Sequence, residues 1–222
     1  MRFRACLVLV SVVCVAAVIH GAPPEPAVVD SAPLAPVFDD THRADITATA
    51  AVPVFVYTTQ ANLNADDERT ALDVARQVLS TASVDVAWTV CVPGTCLTPM
   101  PGTFKIRLVP SPKGSDHDAH LLGHSLINSQ TGAGELATVF VDRTRRLAGE
   151  LGIDHLVLLG RTIAHELGHL LLATATHGPA GLMREIWSRD ELLGTRRTDW
   201  VFDPHDADAI RARLALPRKP KA

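Results

Sequence analysis

What this sequence lacks narrows it before any motif is read. Aromatic residues make up only 5% of the chain, with Tyr57 the single tyrosine, so a core has to be built from Leu, Val, Ala and Ile. There is no basic excess either: 21 Lys+Arg stand against 24 Asp+Glu, a formal net charge of -3. Without a positive stripe to neutralise phosphates, nucleic-acid binding is a poor reading. No internal repeat is found, which argues against a solenoid. The hydrophobic share of 47% is too high for a disordered chain. One domain with its own core is the expectation for 222 residues.

The one extended apolar run lies at residues 5–19, interrupted only by Ser11 and preceded by Arg2 and Arg4. It is short for a bilayer span and sits where the central region of a secretory signal belongs. Residues 1–22 therefore read as a signal peptide, and the mature protein as secreted or periplasmic, with no stable membrane span. Removing that segment takes Cys6 and Cys14 with it and leaves only Cys91 and Cys96, four residues apart around Pro93-Gly94. No second Cys or His pair follows at zinc-knuckle spacing, so the two read as a small disulfide-closed loop of an oxidising compartment.

Residues 23–48 carry Pro23, Pro24, Pro26, Pro33 and Pro36 with little apolar periodicity, a linker or short pro-segment. A domain is expected over 49–216, then a basic tail, 217–222. Residues 52–58 read as a first strand. Asn64 can cap a helix whose first turn carries Asp66, Asp67 and Glu68, and whose packing face is Leu72, Ala75, Val78, Leu79 and Ala82. Further strands are expected at 84–90, 104–109 and 136–142, with a long loop over 110–134. Asp154 can cap a second helix to about residue 172. Asp203-Pro204 starts a last one, with Ala207, Ile210, Leu214 and Leu216 as its packing face. The order points to α+β: a mixed sheet covered by helices.

The chemistry lies in His165-Glu166-Leu167-Gly168-His169. On a helix, residues i and i+4 stack on one face, so both imidazoles can reach one metal ion, while Glu166 flanks it. Zinc in such a place lowers the pKa of a bound water to about 7 and polarises a carbonyl, and Glu166 can take and return a proton. Leu156, Leu159, Ile163, Leu167 and Leu170 form one apolar stripe of this helix. A second stripe, Leu158, Thr162, His165, His169 and Leu172, contains the two histidines. A helix apolar on two sides is buried, and histidines buried there without a metal would be costly to leave unpaired.

A third ligand is needed. If the helix continued, His177 would lie about 12 Å beyond His169, so the chain must break near residues 173–176 and double back. Thr174, Thr176 and Gly178-Pro179 suit such a break. Gly181-Leu182-Met183 then offers a tight turn and a flexible thioether. The rival ligand is a carboxylate of the following segment, Glu191 first, with Glu185 and Asp190 behind it. Trp187 reads as a core residue or as a wall of a substrate pocket.

At His165-Glu166-Leu167-Gly168-His169, His177 and Gly181-Leu182-Met183 the sequence resembles the metzincins, secreted zinc peptidases that include matrixins and astacins. The resemblance implies one zinc held by His165, His169 and His177, Glu166 as general base and then acid, and Met183 in a methionine turn beneath the metal. It implies a metzincin-like fold: a mixed twisted sheet with a backing helix, a central active-site helix, and a small C-terminal subdomain ending in a helix. It also implies that an edge strand near residues 136–141 pairs with the bound peptide. Leu172 and Ala175 stand where the family has Gly and the third His, and His177 arrives two residues late. Glu191 would match the third ligand of the gluzincins instead. Asp116, His117, Asp118, His120 and His124 lie where matrixins hold a second, structural zinc, but the partner His on the next strand is absent, so a solvated loop is expected. Residues 23–50 contain no Cys, which excludes latency by a cysteine switch.

The leading expectation is a secreted, monomeric zinc endopeptidase that hydrolyses peptide or protein substrates. The alternative is a secreted zinc- or peptide-binding module without efficient turnover. A hydrolase of non-peptide amides is a third.

Overall fold

A computed structural model describes residues 7–12, 51–92, 96, 99, 102–113, 121–128, 133–194 and 196–216. Most of the signal, the 23–48 segment, the 217–222 tail, and Asp116, His117, Asp118 and His120 lie outside the described residues.

The domain is one mixed sheet with helices packed on it. Its strands are β1 (Leu7–Val12), β2 (Val52–Thr58), β3 (Val86–Cys91), β4 (Phe104–Val109), β5 (Gly123–Asn128) and β6 (Gly134–Phe140), in spatial order β1-β5-β6-β4-β2-β3. β2 pairs parallel with β3 and β4, and β4 parallel with β6. β5 runs antiparallel to β6, and β1 antiparallel to β5. Alternation selects the inner face: Val52, Val54, Val56, Ile106, Leu108, Ala137 and Val139 are all buried, while their neighbours turn outward. The helices cover that inner face, so Val and Ala of the sheet meet Leu of the helices, as a chain poor in aromatics requires.

Helix α1 (Ala65–Ser80) begins at Asn64, whose side chain accepts from the backbone N–H groups of Asp66 and Asp67. Its buried face includes Ala71, Leu72, Ala75, Val78 and Leu79, and it packs against α3 (His155–Leu172). Asp154 caps α3 in the same way, accepting from Leu156 and Val157 N–H. From Leu158 to Leu171 every residue of α3 is buried except Arg161, the mark of a helix enclosed on two sides. α5 (Pro204–Ala215) starts at Asp203, which accepts from Asp206 N–H. Ala207 and Ile210 face inward, whereas Leu216 is 66% exposed and does not join the packing face. Cys91 and Cys96 are joined as a disulfide, with their Cα atoms 5.1 Å apart.

Three expectations are corrected. The 110–134 loop contains β5, hidden because its inward positions are Gly123 and Ser125 followed by Ile127, a face too small and polar to read as core. The strand ending at β6 stops at Phe140, and an additional helix, α2 (Val141–Leu151), closes in a left-handed Gly152. The strand expected to run along the cleft edge is therefore interior: β6 lies between β4 and β5. β5 lies on the side of β6 away from β4, and among the described residues β1 alone lies beyond it.

Candidate metal centre

Helix α3 carries His165 and His169 one turn apart in the middle of the domain, where they are 0% and 1% exposed. The helix ends at Ala173, in the left-handed region at φ 52, ψ 40, with Thr174 N–H returning to His169 O. That reversal does with alanine what a glycine would do more cheaply. Arg213 of α5 donates from Nε to Leu171 O at 3.0 Å, holding a carbonyl of the last turn. The chain then doubles back and brings His177 to the two helical histidines, with ring centroids 5.6 Å from His165 and 4.8 Å from His169.

Below them lies the turn expected from the sequence. Gly181 has φ +70, Arg184 N–H reaches back to Gly181 O, and Gly178 N–H donates to Met183 O at 2.8 Å. Leu182 N–H is tied to Val201 O, so the turn is anchored to the C-terminal segment. Met183 is 1% exposed and presses on α3 at Gly168, where a Cβ would fall 2.5 Å from its Sδ. Trp187 is a buried core residue set edge-on to the His165 ring at 5.3 Å. Its indole N–H donates to Leu182 O at 3.3 Å.

The hydrogen bonds determine which nitrogens are left over. His165 Nδ1 lies 2.7 Å from Leu182 O, and His169 Nδ1 lies 3.0 Å from Thr174 O. A carbonyl can only accept, so both Nδ1 atoms carry the proton and both Nε2 atoms present lone pairs. Those two Nε2 atoms face each other at 3.1 Å with no hydrogen to share between neutral rings. A proton there is disfavoured. Burial, then the neighbouring His169 and His177, hold His165 well below its ordinary pKa. Burial and His177 bring His169 down to about 4. His177 is lowered by burial too, with Glu185 pulling the other way, and its Nε2 is buried without a partner.

The ligand atoms of His165, His169 and His177 lie within 4.8 Å of one another. Tetrahedral zinc with Zn–N of about 2.0–2.1 Å spaces its ligand nitrogens about 3.3 Å apart. Two imidazole lone pairs, with the partnerless His177 Nε2 within the same few ångströms, suit a divalent cation. Glu191 does not reach this cluster. Its Oε1 is paired with Arg184, and its Oε2 accepts from Ser188 N–H at 2.7 Å as half of the capping box of α4 (Arg189–Leu193).

Glu166 points from α3 toward β5 and is 0% exposed. Its Oε2 accepts from Ser125 Oγ at 2.7 Å, while Oε1 is buried without a partner. Burial pushes this carboxyl up to about 8, with the Ser125 hydrogen bond acting in the opposite direction. Gly123 makes the room: a Cβ there would meet Oε1 at 2.7 Å and Thr138 O at 2.8 Å. Gly123 and Ser125 are the site residues that the sequence reading missed. Their one signal is the pairing of small residues at i and i+2 ahead of Ile127, which marks one strand face made to fit a side chain from elsewhere. His124, between them, turns to the other face and packs its ring 5.6 Å from Phe140.

No sequence-family profile matches the chain, and no curated protein does. In fold it is similar to archaemetzincin from Methanopyrus kandleri, at 15% identity and a TM-score of 0.50, over 78% of this chain and 100% of that one. The likeness bears on the fold: a mixed sheet, helices packed upon it and a C-terminal helix, as expected from the metzincin resemblance. Among the described residues, no helix is long and apolar enough to cross a membrane.

Proposed function

We propose that this chain is an exported zinc endopeptidase with His165, His169 and His177 as ligands of one zinc ion and Glu166 as its general base and acid. One observation carries the reading: the ligand nitrogens of His165, His169 and His177 gather within 4.8 Å of one another, and the residue next to His165 on the same helix is a buried carboxylate whose Oε1 has no partner. A structural site tends to be closed by four protein ligands. Among the described residues three histidines gather here, and Glu166, next to His165 in the chain, is a buried carboxylate that a structural ion would not use.

Zinc, when bound, supplies acidification of water and polarisation of a carbonyl. The chain's own residues do the rest. The Leu182 and Thr174 carbonyls fix the tautomers of His165 and His169, so that each offers Nε2. Glu166 takes the proton of the attacking water at Oε1 and delivers it to the leaving amine. Glu166 would be ionised near a dication, whose charge favours the carboxylate over the buried acid. Trp187 backs the His165 ring with apolar surface, and Met183 packs on α3 at Gly168, next to His169.

The substrate would lie along β5. Leu7–Val12 already pairs with that strand antiparallel, Val12 opposite Gly123 and Leu7 opposite Asn128. Removal of a signal peptide over residues 1–22 would take β1 away and free this edge for an extended peptide. The edge adjoins Glu166 through Gly123 and Ser125, which supports a scissile bond held near the metal.

The test is cleavage of an unfolded protein by the chain lacking residues 1–22, with Glu166→Ala and a chelated sample beside it. The expected outcome is cutting by the wild type alone, with one zinc per chain in both the wild type and Glu166→Ala. A zinc-loaded wild type that cuts no peptide would replace the peptidase reading with a zinc- or peptide-binding module.

A further inference from the structure

We infer that Ser125 is a positioning residue for Glu166, dividing the two carboxylate oxygens so that Oε2 is held and Oε1 alone is left to accept a proton. The inference rests on the proposed peptidase reading and adds to it a residue from a different strand, 41 positions away in the chain.

The geometry is specific. Ser125 is 1% exposed, and its Oγ lies 2.7 Å from Glu166 Oε2 and 2.7 Å from the backbone carbonyl oxygen of the same residue. The hydroxyl is thereby placed against the helix backbone as well as against the carboxylate. It ties the carboxylate to the segment of α3 that carries both helical histidines. A free glutamate side chain has three rotatable bonds and two equivalent oxygens. With Oε2 on the hydroxyl and the side chain lodged under Gly123, both freedoms are removed.

The arrangement also explains an otherwise costly composition. A strand facing the core has no reason to spend two inward positions on Gly and Ser when Ala and Val serve at the equivalent positions of β6, Ala137 and Val139. A serine buried there costs free energy unless its hydroxyl is satisfied. Its one hydrogen is shared between two acceptors at the same distance, the Glu166 backbone carbonyl and Glu166 Oε2, so the carboxylate is held against its own helix. The inner face of β5 is built for Glu166, and because the same strand presents the edge proposed for substrate, substrate pairing and base orientation share one element.

Ser125→Ala and Ser125→Thr should be compared with wild type and Glu166→Gln. The readouts are zinc content, kcat and KM for peptide cleavage, and the infrared band of the Glu166 carboxyl, assigned by its loss in Glu166→Gln. In Ser125→Ala we expect kcat to fall about 10- to 100-fold, with KM and zinc content within twofold of wild type and the carboxyl band shifted. Ser125→Thr, which keeps the hydroxyl, should restore the band position and most of kcat. A kcat within threefold of wild type in Ser125→Ala would overturn the inference, as would loss of zinc or of cooperative unfolding in parallel with activity. Should threonine's methyl not fit, the band alone decides: an unshifted band in Ser125→Ala means no hydrogen bond and no positioning. A wild type that cuts nothing would sink the peptidase reading, while the band would still report on the Ser125–Glu166 contact.

Discussion

Met183 and Gly168 touch so closely that one added methyl group on the glycine would sit 2.5 Å from the methionine sulfur. The same methyl would fall 2.8 Å from Cε1 of Phe202, so the Gly181-Leu182-Met183 turn and the C-terminal segment both lean on this bare stretch of α3. Ala gains about 1 kcal/mol over Gly in a helix interior, yet overpacking a filled core costs about 1–3 kcal/mol. Gly168→Ala is expected to lower stability by about 0–2 kcal/mol net, measured by denaturant unfolding, and to weaken zinc retention because His165 leans on the Leu182 carbonyl of that turn.

His177 and Glu191 separate cleanly in their consequences. His177→Ala removes one of three converging nitrogens and should lose most of the bound metal at equal total zinc. Glu191→Ala should keep the metal. It breaks the Ser188 capping box and the Arg184 pair instead, at a cost of about 1–2 kcal/mol in stability. Metal content of the two purified variants, with their unfolding midpoints, distinguishes the roles. Retention of metal by His177→Ala together with its loss from Glu191→Ala would reverse the assignment.

The metal-free protein should show a stability maximum near neutral pH. His165 and His169 are held below their ordinary values in the folded state, so the unfolded chain binds more protons once pH drops under about 6.5. Stability is therefore lost as pH falls from there toward about 4. Glu166 acts in the opposite direction. Its folded value of about 8 lies above the unfolded one, so its contribution is lost as pH rises from about 4.5 to about 8. Thermal unfolding across pH in the presence of a chelator should show both limbs, and Glu166→Gln should lack the alkaline one while keeping the acidic one. An unchanged alkaline limb in Glu166→Gln would show that another group causes it.

Ala173 carries the reversal after α3 at φ 52, a region that costs a residue with a Cβ about 1–2 kcal/mol. Glycine is free of that cost but loses more entropy on folding. Ala173→Gly is expected to raise stability by about 0.5–1 kcal/mol without altering the zinc content. A melting temperature that falls in Ala173→Gly would mean that the methyl group is packed rather than merely tolerated.

The sequence by itself determined whatever depends on neighbours along the chain. Asn64, Asp154 and Asp203 cap the helices they were expected to cap, because a side-chain oxygen meets N–H groups two or three residues on, whatever the rest of the fold does. His165 and His169 share a face for the same reason, helical periodicity, and the weak helix formers after Leu172 end α3 where the spacing predicts. Only the tertiary structure decided the rest. Gly123 and Ser125 read as loop residues until α3 lies against them, since their small size answers to Glu166 and not to their own strand. That His177 and not Glu191 gathers with His165 and His169 depended on where a doubled-back segment came to lie, while Arg184 and Ser188 engage the Glu191 carboxylate. The position of β6 inside the sheet, with β5 beyond it, follows from strand order, which local alternation does not encode. A spacing of four residues on a helix fixes a distance; a separation of 41 along the chain becomes 2.7 Å only once the chain has folded.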